Sequence, residues 1–395
     1  MTRVVIITEI IAPYRIPVFN ALAQEDGIEL HVIFLAETDP TQRHWPIYRS
    51  EIRFSYEVLP SWRRRLRRWS VLLNRGVYSA LQRSSPDLVI CGGYNYVASW
   101  SALRWARRHR TPFFLWVEST ARDLRSYHGL KESLKTRFLR NCDGFLVPGK
   151  SSLQYLTGYG VPHEAIFTAP NAVDNPFFMR EAAAVRENAD RYRRSLGMPP
   201  RFFLFAGRIV AEKGIFDLLQ AYSALPARRR AEVGLVYVGR GPVRGKLARR
   251  AFGINPGSVH IADFAQREEL AAFYALADAL VFPTHTDPWG LVVNEAMACG
   301  IPVICSSAAG SSADLVEDGW NGYVIRSGDV RGLTSRMDEL TGDASLRERM
   351  GRHSSERVSR FSAACWAAGV LQAIHSTAPH RSAWLQNSSV PALEQ

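Results

Sequence analysis

Lysine and cysteine are scarce in this chain, and long apolar runs are absent from it. Only five of the 49 basic residues are lysine, and the others are arginine. The five cysteines make an odd number, and no two have the close spacing of a zinc ribbon or a redox pair, so we expect reduced thiols in a cytoplasmic setting. Because no run of ~18 apolar residues occurs and the N-terminus has no signal-peptide core, we expect neither a membrane span nor secretion.

The rest of the composition is that of a globular protein. With 395 residues, 47% of them hydrophobic and 22% charged, the chain is long enough for two domains. Short apolar runs alternate with longer helical patterns, which predicts an α/β fold of two facing, Rossmann-like lobes, each with a doubly wound parallel sheet. The predicted strands are Val4–Thr8, Leu30–Leu35, Leu88–Cys91, Phe113–Val117, Phe145–Val147, Phe202–Ala206, Leu235–Val238, Val259–Ala262, Ala279–Pro283, Pro302–Ser306 and Tyr323–Ile325.

The domain boundaries follow the two series of strands. We predict a first lobe over residues 1–175 and a second over 176–360, with the charged segment Arg186–Arg194 as part of a linker. Residues 361–375 should form a helix that packs back on the first lobe, and 376–395 a flexible tail. Ligands of such sheets bind outside the carboxyl ends of the strands, so the expected site is a cleft between the lobes.

The segment Thr286–Gly300 (TDPWGLVVNEAMACG) predicts a turn followed by a helix that begins near Trp289. The amides and the positive dipole end of such a helix stabilise a phosphate. Glu295 lies among apolar residues and needs polar partners, which a sugar diol would supply. Purely structural roles are also compatible with the pattern: Asp287 as an N-cap before Pro288, and Glu295 paired with a surface arginine.

A second segment, Phe205–Gly214 (FAGRIVAEKG), ends a strand in glycine and then presents two cations. Gly207 allows the backbone to turn closely, while Arg208 and Lys213 suit a phosphate. An isolated pair of cations is more often only solvated. Since both segments follow strands of one sheet, together they match the diphosphate and the hydroxyls of a nucleotide-sugar.

These motifs resemble the donor lobe of family-4 retaining glycosyltransferases, whose fold is GT-B. The resemblance rests on Gly207-Arg208, Glu212-Lys213-Gly214, Val238-Gly239-Arg240-Gly241-Pro242 and the pair Asp287 and Glu295. It extends upstream through Pro148–Ser152, Pro170–Asp174 and Pro13–Pro17, and covers roughly residues 1 to 375. The first lobe is then the acceptor lobe and the second the donor lobe.

The resemblance implies a role for each matching residue. Arg208, Lys213 and Asp287 are the catalytic set: the two cations hold the diphosphate, and Asp287 binds hydroxyls of the transferred sugar. Glu295 binds the ribose, and Asp263 and Phe264 lie beside the base. The remaining donor-site residues act through the backbone, and they are Gly207, Trp289, Gly290 and Leu291.

No metal and no cofactor is expected. No two aspartates are two residues apart, so a metal-binding Asp-x-Asp motif is absent, and charge stabilisation falls to the cations and the helix terminus. The co-substrate is a UDP-, GDP- or ADP-linked sugar. In this family the leaving phosphate oxygen is thought to help deprotonate the acceptor.

Three departures from the family pattern affect the details. Asp287 replaces the usual glutamate and is one methylene shorter, which could alter the sugar preference. Pro13 stands near a position where relatives carry a glycine pair, and since it has no N–H for a phosphate, Tyr14 and Arg15 become acceptor-side candidates. Glu118 stands where many relatives have a histidine, and it either takes that polar role or pairs with Arg122.

The positive charge is concentrated in the first lobe. Residues 1–180 carry a net charge of +9, and the remainder carries +3. The densest part, Trp62–Leu73 (WRRRLRRWSVLL), drawn as a helix gives an apolar stripe beside arginines, which suits an anionic membrane surface. The membrane-surface residues would be Trp62, Arg64, Arg67, Arg68 and Trp69. A helix packed on its own lobe accounts for the run equally well, and no nucleic-acid module surrounds it.

The sequence thus predicts a hexosyl-type retaining glycosyltransferase. It would transfer sugar to a saccharide or lipid-linked acceptor in bacterial cell-envelope or exopolysaccharide synthesis, in the cytoplasm or on the inner face of the plasma membrane. Two alternatives stay open: a nucleotide-sugar epimerase of the same fold, and a non-catalytic membrane- or polyanion-binding protein.

Overall fold

A computed structural model describes residues 1–39, 45–66, 69–121, 129–255 and 257–376. The chain forms two compact units. Unit 1 consists of Met1–Asn171 and the described residues from Ala363 onward, and unit 2 consists of Ala172–Ser362. Within the described ranges, no helix combines the length and the apolar character needed to cross a membrane.

Unit 1 is built on a seven-stranded sheet in which every neighbouring pair is parallel. The strand order is β3-β2-β1-β6-β7-β8-β9. The five strands predicted for this lobe are confirmed, whereas β3 and β9, both short and at the two edges, were not predicted. The strands are β1 (Thr2–Thr8), β2 (Ile28–Phe34), β3 (Ser55–Val58), β6 (Leu88–Cys91), β7 (Phe113–Trp116), β8 (Gly144–Val147) and β9 (Ile166–Thr168).

In the described part of unit 1, six α-helices cover this sheet, and the last of them comes from the far end of the chain. α16 (Ala363–Ser376) packs on α1, where the fully buried Trp366 meets the rings of Phe19 and Trp116 at 5.8 and 5.1 Å. The others are α1 (Ile16–Ala23), α2 (Val77–Ser84), α3 (Val97–His109), α4 (Leu130–Leu139) and α5 (Lys150–Thr157).

The arginine-rich segment of unit 1 is an antiparallel hairpin, and its prediction as an amphipathic helix was wrong. The strands β4 (Ser61–Leu66) and β5 (Trp69–Asn74) pair so that Trp62 faces Leu73 and Arg63 faces Leu72. Alternate residues point to opposite faces: Arg63 and Leu72 are turned inward, while Trp62 and Leu73 are exposed. The helical stripe was misleading because tertiary ion pairs of Arg63, described below, fix the strand conformation.

Unit 2 contains a six-stranded parallel sheet in the order β12-β11-β10-β13-β14-β15. All six predicted strands of this lobe are confirmed. Their apolar runs are largely buried on both faces, which is why the sequence shows continuous rather than alternating hydrophobicity. The strands are β10 (Phe202–Ala206), β11 (Gly234–Val238), β12 (Val259–Ala262), β13 (Ala279–Phe282), β14 (Val303–Ser306) and β15 (Gly322–Ile325).

The segment expected to be a linker is helical and belongs to unit 2. Arg186–Arg194 falls within α6 and α7, and α6 packs against α11 and α12 through buried residues such as Phe178 and Val185. Apart from Arg186, which donates to the Cys299 carbonyl, its charges lie on solvated helix faces. The helices of this unit are α6 (Asn175–Glu187), α7 (Ala189–Leu196), α8 (Ile215–Ala224), α9 (Ala227–Glu232), α10 (Arg244–Ala251), α11 (Arg267–Leu276), α12 (Leu291–Ala298), α13 (Ser312–Leu315), α14 (Val330–Gly342) and α15 (Ala344–Val358).

Each sheet has a point at which the chain changes its direction of winding. In unit 1 this point lies between β1 and β6, and in unit 2 between β10 and β13. The loops that follow two such strands diverge and leave a crevice at the carboxyl edge of the sheet, where ligands of doubly wound folds bind. Both motifs found in the second lobe follow the strands that flank its crevice.

Candidate functional site

Lys213 and Asp287 meet across the crevice of unit 2. Lys213 follows β10 and is only 9% exposed, and its Nζ lies 2.5 Å from Oδ2 of Asp287, which follows β13. The same Nζ donates to the carbonyl of Thr286 at 3.2 Å. The interpretation of Lys213 as a solvated surface cation is therefore wrong. Its charge is balanced by Asp287.

Asp287 does not cap the helix that follows it. Its Oδ1 accepts a hydrogen bond from the Trp289 amide at 3.1 Å, which closes a turn before the helix, and α12 begins only at Leu291. Its other oxygen is held by Lys213, so the carboxylate has a fixed orientation. The N-cap interpretation of Asp287 fails because Pro288 and Trp289 lie outside the helix.

Arg208 projects from a loop whose backbone is closely packed. The amide of Gly207 donates to Val238 O at 3.0 Å, and the amide of Ile209 donates to Arg240 O at 2.8 Å. A Cβ on Gly239 would lie 1.9 Å from the Gly207 oxygen, so the neighbouring loop requires glycine there. Arg208 itself is exposed and forms no ion pair with any residue in the described ranges. A closely packed loop thus carries a guanidinium that has no ion-pair partner in the described part of the chain.

The N-terminus of α12 presents two amides to the crevice. Gly290, with φ 89°, is the residue before the helix, and its amide and that of Leu291 donate to no acceptor in the described part of the chain. The third predicted amide, of Trp289, is already bonded to Asp287, and its indole nitrogen donates to Asn294 at 2.8 Å. Trp289 is buried and supports the turn. The free amides and the dipole of α12 favour an anion at this point.

A loop that none of the sequence motifs indicates holds this turn in place. After β14, Gly310 donates its amide to Asp287 O at 2.9 Å, and Ser311 donates its amide to Trp289 O at 3.1 Å. The Ser311 hydroxyl is buried and has no hydrogen-bond partner among the described residues. The run of small residues Ser306–Ser312 was the available signal, since only small side chains allow two loops to approach this closely.

Glu295 lies about one turn into α12 and is bonded to a tyrosine rather than to an arginine. The hydroxyl of Tyr274, from α11, donates to its Oε2 at 2.7 Å. Burial raises the pKa of the Glu295 carboxyl to about 7, and the bond from Tyr274 lowers it in part. The alternative of a surface ion pair is therefore wrong. No sequence pattern points to Tyr274, which is one apolar-facing residue of an ordinary helix.

Asp263 and Phe264 follow β12 at the same edge of the sheet, and an arginine holds them. Arg240 Nη2 donates to Asp263 Oδ2 at 2.7 Å, and the Phe264 amide donates to Asp263 Oδ1 at 2.8 Å. The Arg240 hydrogen bond holds the pKa of Asp263 well below its usual range. In the sequence Arg240 stands out only as part of a glycine motif, and the structure pairs it with the loop at which a base is expected.

Arg15 and Glu118 meet at the carboxyl edge of the sheet in unit 1. Arg15 Nη2 lies 2.9 Å from Glu118 Oε1, and its guanidinium stacks 3.8 Å from the centroid of Trp116. The ring of Tyr14, the third acceptor-side candidate, is 5.6 Å from the guanidinium. Arg122, the other partner considered for Glu118, lies outside the described residues.

A second polar cluster, unpredicted, lies beside the crevice of unit 1. Arg63 of the hairpin donates to Asp39 at 2.6 Å and to Glu9 at 3.1 Å. Glu9 directly follows β1, and Tyr96, whose pKa is raised by burial and by Glu9, precedes α3. Four segments distant in sequence thus converge here, which no local pattern could indicate.

Two of the five membrane-surface candidates, Trp62 and Arg64, lie on the outer face of the hairpin. Trp62 is 52% exposed and lies across from Leu73, which is 42% exposed, and Arg64 is on the same outer face. Arg67 and Arg68 lie outside the described residues, as does the side chain of Trp69. The outer face therefore combines two apolar side chains with at least one cation.

Comparisons with known proteins identify the family of both units. Residues 188–357 match the family model described as glycosyl transferases group 1, and residues 19–175 match that of glycosyltransferase family 4. The chain is 28% identical to the capsular polysaccharide biosynthesis glycosyltransferase CapM of Staphylococcus aureus over 40% of its length, and 28% identical to the O-antigen chain mannosyltransferase B of Escherichia coli over 52%. It covers 41% and 52% of those two relatives, so it spans about half of their length or less.

Solved structures show the same fold. The chain matches Anabaena Alr3699/HepE, crystallised with UDP and glucose, with a TM-score of 0.74 and 17% identity, over 95% of this chain and 100% of the other. It matches WaaG, described as a glycosyltransferase involved in lipopolysaccharide biosynthesis, with a TM-score of 0.67 and 16% identity, again over 95% and 100%. The two family models between them reach into both units, and the fold is GT-B: the chain belongs to the family-4 glycosyltransferases.

Proposed function

We propose that this protein is a retaining glycosyltransferase that moves a sugar from a nucleotide-sugar to a saccharide or lipid-linked acceptor in bacterial cell-envelope or exopolysaccharide synthesis. One observation carries the proposal. Arg208, the Lys213–Asp287 pair, the free amides of α12 and Glu295 all belong to the carboxyl edge of one sheet, on the two strands that flank its crevice. The names of the relatives in capsular polysaccharide and O-antigen synthesis support the pathway.

The donor diphosphate occupies the positive part of this crevice. Its oxygens accept from Arg208, from Lys213 and from the amides of Gly290 and Leu291. As the bond to the sugar breaks, negative charge grows on the leaving phosphate, and these fixed groups stabilise it without reorganising. Because Lys213 is already oriented by Asp287, little conformational entropy is lost when the phosphate arrives.

The carboxylates serve the hydroxyls of the donor. Asp287, with both oxygens oriented, accepts from hydroxyls of the transferred sugar, and Glu295 accepts from the ribose. Asp263 and Phe264, held by Arg240, lie beside the base. The leaving phosphate oxygen assists deprotonation of the acceptor. Because Arg208, Lys213 and the α12 amides stabilise the charge of the leaving diphosphate in place of a metal ion, transfer should continue in the presence of a chelator.

The acceptor is assigned to the carboxyl edge of the sheet in unit 1. Tyr14, Arg15 and Glu118 offer an aromatic ring, a cation and a carboxylate, a combination that suits a sugar ring with hydroxyl groups. The outer face of the hairpin would rest on an anionic membrane, and the protein would then work at the inner face of the plasma membrane.

Purified protein tests the proposed function directly. A thermal-shift series with UDP, GDP and ADP identifies the base, and transfer is followed by mass spectrometry with the matching nucleotide-sugars. Lys213→Ala and Glu295→Ala should each lower kcat/KM at least about a hundredfold, whereas Lys246→Ala, an exposed lysine of α10, is the matched control and should not. Full activity of the two variants, or an epimerised donor formed without acceptor, would contradict the assignment.

A further inference from the structure

Tyr274 is a buried tyrosine whose hydroxyl reaches one carboxylate of the proposed donor site. It lies on α11, packed between α6 and α12, and no part of its side chain is exposed. The hydroxyl donates to Glu295 Oε2 at 2.7 Å. A buried tyrosine hydroxyl needs an acceptor, but a backbone carbonyl would serve equally well, as it does for Tyr222 and Tyr237 in the same unit.

The ionised form of the Glu295 carboxylate depends strongly on the hydrogen bond from Tyr274. It is flanked in α12 by the buried Val293 and Ala296, and no second hydrogen-bond donor reaches it from the described residues. The other titratable groups at this corner are Cys299, directly after the last residue of α12, and Arg186 of α6, which donates to the Cys299 carbonyl. A carboxylate with one donor in apolar surroundings ionises at a cost, and each added donor reduces that cost.

We propose that Tyr274 is a positioning residue for nucleotide binding: its hydroxyl orients the Glu295 carboxylate toward the ribose and keeps it ionised, and binding of the nucleotide is coupled to loss of the Glu295 proton. The proposal rests on the proposed function, because it assumes that Glu295 accepts from the ribose hydroxyls. A diol with both hydroxyls donating favours the carboxylate over the protonated acid, so the nucleotide selects the ionised form.

The direction of the pH dependence follows from the pKa of Glu295, which burial raises to about 7. Above that pH the carboxylate is ionised and ready to bind. Below it the proton must be removed first, so affinity falls by up to about tenfold for each pH unit. Loss of the Tyr274 hydroxyl removes this donor and raises the pKa of Glu295 further. The midpoint of the pH dependence of binding should then move upward by about one to two pH units.

Calorimetric binding of a nucleotide-sugar between about pH 5.5 and 9 tests the proposal, a range that brackets a carboxyl with a raised pKa. The probe is UDP-glucose, GDP-mannose or ADP-glucose, whichever binds, because their diphosphates are diesters without a proton that titrates near neutrality. Tyr274→Phe should weaken binding at least about fivefold at neutral pH and recover toward the wild-type value as the pH rises. Tyr222→Phe removes a buried hydroxyl of the same unit and should leave the midpoint unchanged.

The outcomes separate the two proposals. If no nucleotide-sugar binds the wild-type protein, the proposed function fails. If binding occurs but Tyr274→Phe weakens it equally at every pH, Tyr274 is merely structural and the inference is overturned. Glu295→Gln should abolish the pH dependence, and its persistence would identify another titrating group. Proton release by the wild-type protein, measured in buffers of different ionisation enthalpy, tests the coupling even if Tyr274→Phe does not fold.

Discussion

At the scale of single residues, most charged groups of the candidate site have a partner within the protein. Lys213 is bound to Asp287, Arg240 to Asp263, and Glu295 to Tyr274, whereas Arg208 has no such partner in the described ranges. Pairing orients these groups, and for Lys213 and Glu295 it also offsets the cost of burial, whereas the Arg240–Asp263 pair is exposed. For the proposed binding of a nucleotide-sugar, these paired groups need little rearrangement.

Replacement of Asp287 separates its two roles, which are the pairing with Lys213 and the proposed binding of sugar hydroxyls. Asp287→Asn keeps the shape but leaves Lys213 largely buried without a counter-charge, so the free protein should lose about 2 kcal/mol of stability. A nucleoside diphosphate supplies the missing negative charge, and should therefore raise the Tm of the variant more than that of the wild-type protein, while kcat falls. Asp338→Asn, which breaks the partly exposed pair with Arg229 far from the site, is the control. Equal ligand-induced shifts would show that Lys213 does not meet the phosphates.

At the scale of elements, the loops after the strands are fixed by close backbone contacts at glycine. Gly214 has φ 68°, and a Cβ there would lie 2.0 Å from the carbonyl of Pro283, so the Lys213 loop packs directly on the end of β13. In the sequence, glycine in these loops indicates freedom to turn. The structure shows that its second function is to let two loops touch.

Alanine at position 214 should move the Lys213 loop away from β13. We expect Gly214→Ala to cost about 3 kcal/mol and to weaken nucleoside diphosphate binding, as measured by chemical unfolding and by thermal shift. Gly197→Ala is matched in backbone geometry, with φ 63°, but has open space around the added methyl group. It should cost about 1 kcal/mol and leave binding intact. If both variants lost the same stability and the same binding affinity, backbone strain and not the contact between loops would be responsible.

The hairpin is the element for which a membrane contact is proposed. Trp62→Ser combined with Arg64→Glu should lower the fraction of protein that sediments with phosphatidylserine-containing vesicles several-fold, because each cation near such a surface contributes about 1 kcal/mol. Phe252→Ser removes an aromatic ring that is 94% exposed in unit 2, and it should change nothing. Unchanged sedimentation of the hairpin variant would exclude this face as the anchor.

At the scale of the whole molecule, chain order and spatial order differ. The chain passes through unit 1, forms all of unit 2, and then returns to unit 1 with α16. Trp366 fills a site between α1 and β7, against Phe19 and Trp116. The stability of the proposed acceptor unit therefore depends on residues that follow the donor unit in sequence.

Trp366→Ala should destabilise unit 1 although the substitution lies beyond unit 2 in the chain. A cavity of this size costs about 3 to 5 kcal/mol. In calorimetry, a nucleoside diphosphate should raise the unfolding temperature of unit 2 only. The variant should lower the temperature of the other transition, that of unit 1, and leave the transition of unit 2 unchanged. Met179→Ala, at a half-exposed position in α6, serves as control. If only the nucleotide-sensitive transition moved to lower temperature, the assignment of α16 to unit 1 would be wrong.

The sequence by itself determined most strands of the two sheets and placed the residues of the proposed donor site at the carboxyl edge of the second sheet. The strands are continuous apolar runs because they are buried on both faces, and Arg208, Lys213, Asp287 and Glu295 follow those strands at short spacings along the chain. These are local signals. Parallel strands bring their carboxyl ends to one edge, so the local signals were sufficient to bring the residues together.

Tertiary structure alone decided which side chains are paired and how the ambiguous segment folds. Trp62–Leu73 has apolar residues at both helical and alternating spacings, and Arg63 decides for the hairpin by bonding Glu9 and Asp39, 54 and 24 residues away. The hydrogen bond between Tyr274 and Glu295 is likewise set by the packing of α11 against α12. Partners of this kind are set by the packing of distant elements, because a buried charge requires whichever donor or acceptor the fold brings near, and the sequence around it carries no trace of that choice.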